Sequence, residues 1–374
     1  MPQEIKRGAW GTLAMTVAVA CALACASGVA ISKSVTPVST LQRVRAAGVL
    51  TCGVDAEEPE YSTSDEHGSR EAFDADLCRA VAAAVLGSQA RIRLVSYPDD
   101  RSSMAGLRSG AVEMIPTLTD DFTHAVGTHL QFTSPVLWDG VGFLASAGSA
   151  VTEARQLSGK KICMIAETNT EESVRAWFAR EHLDYVPFPF QEEGEMEAAF
   201  ATGNCTALAG DRTRLAATGE LMGLHGRPAR LLSAVISQDP LAATVRQGDR
   251  QWEAIVSWVM EALVQAEESG VTRANVNALR AEALRAEGAV DGQGVGPASA
   301  LAADPTLWFL LGGSQQIGSR LGLENDWVDQ MIAATGNYGE IYRRDLGSGS
   351  ALKLPRGENR LFEDGGVMVA LPPK

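Results

Sequence analysis

The residues best placed to do chemistry sit where short apolar runs end. The run Gly48-Val49-Leu50-Thr51-Cys52-Gly53-Val54, β-branched and apolar between glycines, reads as a buried strand. It opens into a polar stretch, Asp55 to Ala72, that carries Glu57, Glu58, Glu60, Tyr61 and Asp65. Asp74 and Asp76 then suit a helix N-terminus, and Leu77, Val81, Ala84 and Val85 fall on one helical face. Further along, the strand-like Lys161 to Ile165 opens into the polar turn Ala166-Glu167-Thr168-Asn169-Thr170, and Thr206 to Ala209 ends at Asp211. Carboxylates and hydroxyls gathered at strand ends are how α/β proteins present a ligand site. Catalytic signatures are absent. His67, His124, His129, His182 and His225 show no HExxH spacing, no GxSxG elbow precedes a helix, and no P-loop occurs. Gly292-x-Gly294-x-Gly296 has no strand before it and no helical pattern after it, so it is not a nucleotide loop. No enzymatic activity, cofactor or metal centre is expected.

The elements that must position these residues alternate. Leu41 to Ala47 forms an opening helical turn, Arg91 to Val95 a strand, Arg101 to Ser109 a helix ended by Gly110, and Ala111 to Ile115 a strand. This β-α-β-α-β order is the signature of a sheet with crossover helices. The pattern restarts after Gly140 to Ala145, with a helix from Glu171 to Arg180, a strand from Tyr185 to Phe188 and a helix from Glu192 to Ala201. A return strand, Ala242 to Arg246, precedes a long helix from Gln251 to about Glu267. The expected organisation is lobe 1 over 41–143, lobe 2 over 144–241, and a completion of lobe 1 over 242–374. Within that last part, 282–304 is rich in Ala and Gly and reads as a flexible excursion.

The 374 residues suffice for two such lobes, and a formal charge of −14 excludes non-specific nucleic-acid binding. Residues 1–8 form a basic segment with Lys6 and Arg7, ahead of an uncharged run from Ala9 to Ile31 and a polar linker over 32–40. That run is long enough to span a bilayer, and the positive residues before it place the body outside the cytoplasm. A secretory signal cleaved near Gly28-Val29-Ala30 is the competing reading, although its apolar core is usually about 7–15 residues. The retained anchor is favoured, which holds the chain in a membrane with its body on the side away from the cytoplasm. Past the leader, Cys52, Cys78, Cys163 and Cys205 read as two disulfides of an exported body. Sequence allows three pairings, and proximity favours Cys52–Cys78 and Cys163–Cys205.

Several blocks carry a resemblance. They are Gly48 to Val54, Phe73-Asp74-x-Asp76-x-Cys78-Arg79-Ala80-Val81, Pro240-Leu241-x-x-x-Val245-Arg246-Gln247-Gly248-Asp249, Leu321-Gly322-Leu323-x-Asn325-Asp326-Trp327 and Gly336-Asn337-Tyr338-Gly339-Glu340. From about Leu41 to Pro372 the chain resembles the periplasmic solute-binding proteins of ABC importers, in the general L-amino-acid-binding branch. The resemblance implies a two-lobed α/β fold hinged by two crossing strands, and the same two disulfides. It also implies an Arg after the third strand that forks onto the ligand carboxylate. Here that stretch is Pro116-Thr117-Leu118-Thr119-Asp120-Asp121-Phe122-Thr123-His124-Ala125-Val126, with no Arg between Arg108 and Arg155. In the second-lobe turn, Glu167 stands where the family usually has Gly, beside Thr168 and Thr170. Asp211 falls where the family has the partner of the ligand ammonium.

The cleft so implied holds Asp120, Asp121, Glu167 and Asp211, with Thr119 near them, Tyr61 as a stacking face and His124 as its one cation. Like charges gathered this way repel a ligand carboxylate, so a zwitterionic amino acid fits poorly. The sequence therefore points to a membrane-anchored, non-enzymatic accessory subunit of a periplasm-facing membrane complex, with a vestigial or altered ligand site. The alternative is the solute-binding component of an ABC importer, working with its permease, for amino acids or for a cationic amine or metal.

Overall fold

A computed structural model describes residues 38–55, 70–87, 90–290, 305–312 and 317–372. Tyr61, the leader segments 1–8 and 9–31, and residues 291–304 lie outside the described residues. Helix α1 (Thr40–Ala47) starts at Ser39, whose side chain and that of Gln42 cap each other's backbone N–H groups, so the last residues of the expected linker belong to the body. It ends at Gly48, whose φ of 62° closes the helix in the left-handed region.

Lobe 1 continues with β1 (Val49–Asp55), α2 (Arg70–Leu86), β2 (Arg91–Tyr97), α3 (Asp100–Ser109), β3 (Ile115–Thr119), the short α4 (Phe122–Ala125) and β4 (Leu130–Asp139). β1 and β2 run parallel, and a bridge from Cys52 to Met114 joins β1 to the segment leading into β3. Lobe 2 comprises β5 (Val141–Ser146), β6 (Lys161–Ile165), α5 (Asn169–Arg180), β7 (Val186–Phe190), α6 (Glu193–Ala201), β8 (Ala207–Asp211), α7 (Arg212–Leu224) and β9 (Ala229–Leu231). Its sheet has the order β7-β6-β8-β5-β9. The chain returns through β10 (Asp239–Arg246), which lies between β3 and β4 and antiparallel to both. Then come α8 (Arg250–Glu268), α9 (Val276–Val290) and helices over Trp327–Thr335 and Tyr338–Asp345. This is the two-lobed α/β fold that the resemblance implies.

Several expectations need correction. Asp74 and Asp76 do not open α2, which begins at Arg70. Both are buried: Asp74 accepts a 2.7 Å hydrogen bond from Thr117 Oγ1, and Asp76 pairs with Arg79 and Arg344. The third strand starts at Ile115, not Ala111, because Val112 and Met114 are buried in the approach to it and pairing with β10 begins at Ile115. The first nine residues of the expected excursion over 282–304 are helical, since α9 continues to Val290. The return strand begins three residues early, at Asp239.

Lobe 1 is packed on α8, whose Trp252, Ile255, Val256 and Val259 are buried with Leu77, Val81 and Trp327. Trp252 Nε1 donates to the Glu113 carbonyl at 3.1 Å, which pins α8 to the β3 approach. Lobe 2 has its own core of Phe143, Ile162, Met164, Trp177 and Phe178. Disulfides join Cys52 to Cys78 and Cys163 to Cys205, as proximity favours. In the chain-entropy picture, the second closes a loop of 42 residues and stabilises by about 4 kcal/mol.

The C-terminal segment covers the outer edge of β4. Buried Asn359 imitates a strand partner there: its Oδ1 accepts from Trp138 N at 2.7 Å and its Nδ2 donates to Trp138 O at 2.8 Å. Asn359→Ala leaves both backbone groups unsatisfied one residue from the crossing into lobe 2. Chemical denaturation is expected to show a loss of about 2 kcal/mol; an unchanged midpoint would mean that water replaces the amide.

Candidate functional site

The site is built where the chain crosses between lobes. Asp139 ends β4, Gly140 makes the crossing, and Val141 starts β5; on the way back, Asp239 opens β10 in register with Asp139. A Cβ at Gly140 would stand 2.3 Å from the Ser237 carbonyl oxygen, so only glycine lets the two strands pass this closely. Ser237 links the crossings: its Oγ accepts from Val141 N and donates to Asp239 Oδ2, each at 2.9 Å. Asp139 accepts from Gly140 N at 2.8 Å and from Thr213 Oγ1 at 2.5 Å. The half-buried Arg212, donating to the Leu232 carbonyl at 2.9 Å, adds its charge near Asp139.

A cleft of about 290 Å³ opens at this crossing. Lobe 1 supplies Asp100, Thr119 at the end of β3, and His124 on α4. The crossing strands supply Asp139 and Asp239. Lobe 2 supplies Thr168, Asn169 and Thr170 at the start of α5, Glu193 and Glu197 on α6, and Asp211, Arg214 and Thr218 from α7 and its cap. Thr119, His124, Thr168, Thr170 and Asp211 are thus brought together.

Asp120, Asp121 and Glu167 do not line the cleft. Asp121 caps α4, accepting from Thr123 N at 2.8 Å, Thr123 Oγ1 at 2.7 Å and His124 N at 2.9 Å. Burial works against its charge, yet these hydrogen bonds prevail and hold its carboxyl below the usual range. Asp120 is pushed up, first by burial and then by the charge of Asp121. Glu167 is exposed, with a φ of 59° and its N–H donated to Glu171 Oε2 at 2.8 Å. That left-handed backbone is one that a glycine adopts without strain. His124 Nδ1 lies 2.9 Å from Asp121 Oδ1, and its Nε2 lies 3.6 Å from Asp100 Oδ2.

Two functional-looking residues escape the sequence reading. Asp239 is raised above the ordinary carboxyl range, first by burial and further by the charges of Asp211 and Asp121, against a hydrogen bond from Ser237. Only the pairing of β10 with β4 reveals its place. Arg214 corrects the expectation that His124 is the cleft's one cation. It pairs with Glu193 across the cleft wall. Its signal was available: from Asp211 at the end of a strand, Arg214, Leu215 and Thr218 follow at helical spacing on one face. Among the described residues, no group of three or more His, Cys, Asp or Glu is arranged to hold a metal ion, and no helix is long and apolar enough to cross a membrane.

No protein-family model matches the chain. Among curated proteins it is 33% identical over 352 residues to the general L-amino acid-binding periplasmic protein AapJ of Rhizobium johnstonii, covering 93% of this chain and 96% of AapJ. It is 33% identical over 337 residues to the putative amino-acid ABC transporter-binding protein YhdW of Escherichia coli, covering 89% of this chain and 92% of YhdW. The glutamate/glutamine/aspartate/asparagine-binding protein BztA of Rhodobacter capsulatus is 31% identical over 335 residues, covering 89% of this chain and 93% of BztA. Among solved structures, an ABC transporter/periplasmic binding protein from Brucella ovis with glutathione bound matches with a TM-score of 0.72 and 32% identity, covering 90% of this chain and 99% of that one. These relatives are solute-binding proteins and not enzymes. The accessory-subunit reading finds no support among them, and neither does the retained membrane anchor. The chain belongs to the family of periplasmic amino-acid-binding proteins of ABC importers.

Proposed function

We propose that this chain is the periplasmic solute-binding component of an ABC importer, and that its cleft takes an amino acid, or a small solute derived from one, by its ammonium group. The observation that carries this reading is the placement of Asp139, Asp211 and Asp239 around one cleft at the crossing strands. A cationic amino group relieves the burial and repulsion that act against the charge of Asp239, and it gains a charge-assisted hydrogen bond in return. In this reading Asp211 is the principal ammonium partner. Thr119, His124, Thr168 and Thr170 supply hydrogen bonds from both lobes. The protein is secreted to the periplasm and delivers its solute to an ABC permease. Support comes from the relatives, which include a periplasmic protein by name, and from the two disulfides.

The test is isothermal titration of the purified protein with L-glutamate, L-glutamine, L-aspartate, L-asparagine and glutathione. Micromolar binding of at least one is expected, and silence from all of them to millimolar concentration contradicts the proposal. Asp211→Asn should weaken that binding about 10- to 100-fold with the fold unchanged. Affinity should fall as pH drops into the raised range of Asp239, because a protonated carboxyl no longer attracts a cation.

Asp239→Asn separates stability from binding. A carboxyl whose pKa rises on folding costs stability at pH above that pKa, and the cost vanishes on protonation as pH falls through it. The variant should therefore melt higher than the wild-type protein at neutral pH, and the two should converge in acid. The same variant should bind its solute more weakly.

A further inference from the structure

We infer that Arg214, on the second lobe, is the carboxylate partner of the solute and stands in for the Arg missing from lobe 1. The inference deepens the solute-binding reading and rests on it. Between Arg108 and Arg155 the chain has no Arg, so the wall formed by Thr119 and His124 offers no guanidinium. The facing wall does. Asp211 ends β8 and caps α7 in an extended conformation, and Arg214, Leu215 and Thr218 follow in the first turns of α7, so that all four line the cleft. An N-cap residue and the third residue of its helix stand within one turn of each other. An ammonium on Asp211 and a carboxylate on Arg214 therefore suit a ligand whose opposite charges are a few bonds apart, as in an α-amino acid.

Arg214 is held meanwhile by Glu193, and beside it Thr218 Oγ1 donates to Glu197 Oε1 at 2.8 Å. Side-chain exposures of 43% for Arg214 and 39% for Glu193 make this a solvated pair, which is worth little and is easily exchanged for a ligand carboxylate. Glu193 lies in the first turn of α6, where its charge remains favourable after release. Glu193 thus holds Arg214 as a ligand carboxylate would. A guanidinium pairs with a carboxylate from either lobe, provided that its fork reaches the cleft.

The experiment compares L-glutamine with L-glutamine amide, which keeps the ammonium and lacks the α-carboxylate, by calorimetry on the wild-type protein, Arg214→Gln and Glu193→Gln. Wild-type protein should prefer the acid by at least about tenfold. Arg214→Gln should abolish that preference by weakening glutamine alone. Glu193→Gln, which removes the competing carboxylate, should tighten glutamine several-fold, and it tests the inference even if Arg214→Gln fails to fold. Retained preference in Arg214→Gln, or weaker glutamine binding in Glu193→Gln, overturns the role of Arg214. Equal wild-type binding of acid and amide does so too, while leaving the ammonium site standing. If wild-type protein binds neither compound nor any other amino acid, the solute-binding reading falls and this inference with it.

Discussion

Where β4 passes into β5, the backbone of Gly140 runs so close to the Ser237 carbonyl that no side chain fits between them. That close approach fixes the rest of the cleft. It brings Asp139 and Asp239 to opposite positions of one antiparallel rung, and it lets Ser237 hydrogen-bond to both crossings. Because β5 pairs with β8 from Val141↔Asp211 onward, the same crossing also sets where Asp211 stands. Three carboxylates from three strands thus meet through backbone register. Asp139 is satisfied by Thr213 and the backbone, whereas burial and two acidic neighbours raise Asp239 above the ordinary carboxyl range.

Lobe 1 reads as the rigid side of this arrangement. β10 is held between β3 and β4, α8 seals the sheet with buried Trp252, and the C-terminal segment covers the free edge of β4 through Asn359. Arg356 adds an ion pair with Glu267 while lying over the rings of Tyr338 and Tyr342. Lobe 2 carries its own core and its own disulfide. Each half of the cleft wall is therefore positioned by an independently packed sheet, and the two covalent chain crossings between them are short.

Much of this was legible in the sequence because local patterns report local physics. Apolar runs located β1, β2, β6, β7, β8 and β10, and the closeness in sequence of Cys52 to Cys78 and of Cys163 to Cys205 favoured the two disulfides that form. Asp74 and Asp76 misled because their acidic character matches a helix start, while their actual partners, Thr117 and Arg344, lie far along the chain. The third strand was placed four residues early because burial of Val112 and Met114 precedes strand pairing there. Asp120, Asp121 and Glu167 were expected in the cleft on sequence position. Capping of α4 engages Asp121, and a left-handed turn leaves Glu167 exposed. Asp239 is hidden from the sequence because its place depends on long-range strand register, and Arg214 because its place depends on where α7 starts after β8.

The missing lobe-1 Arg first argued against an amino-acid ligand, and the geometry removes that objection by showing a guanidinium on the opposite wall. What remains central is the ammonium: a cluster of hinge carboxylates is useful to a binding protein only if a cation joins it. Titration calorimetry of one bound amino acid against its N-acetyl derivative addresses this directly, since acetylation removes the positive charge and spares the carboxylate and side chain. The account predicts micromolar binding of the free amino acid and none of the acetylated form. Equal affinity for the two would contradict it.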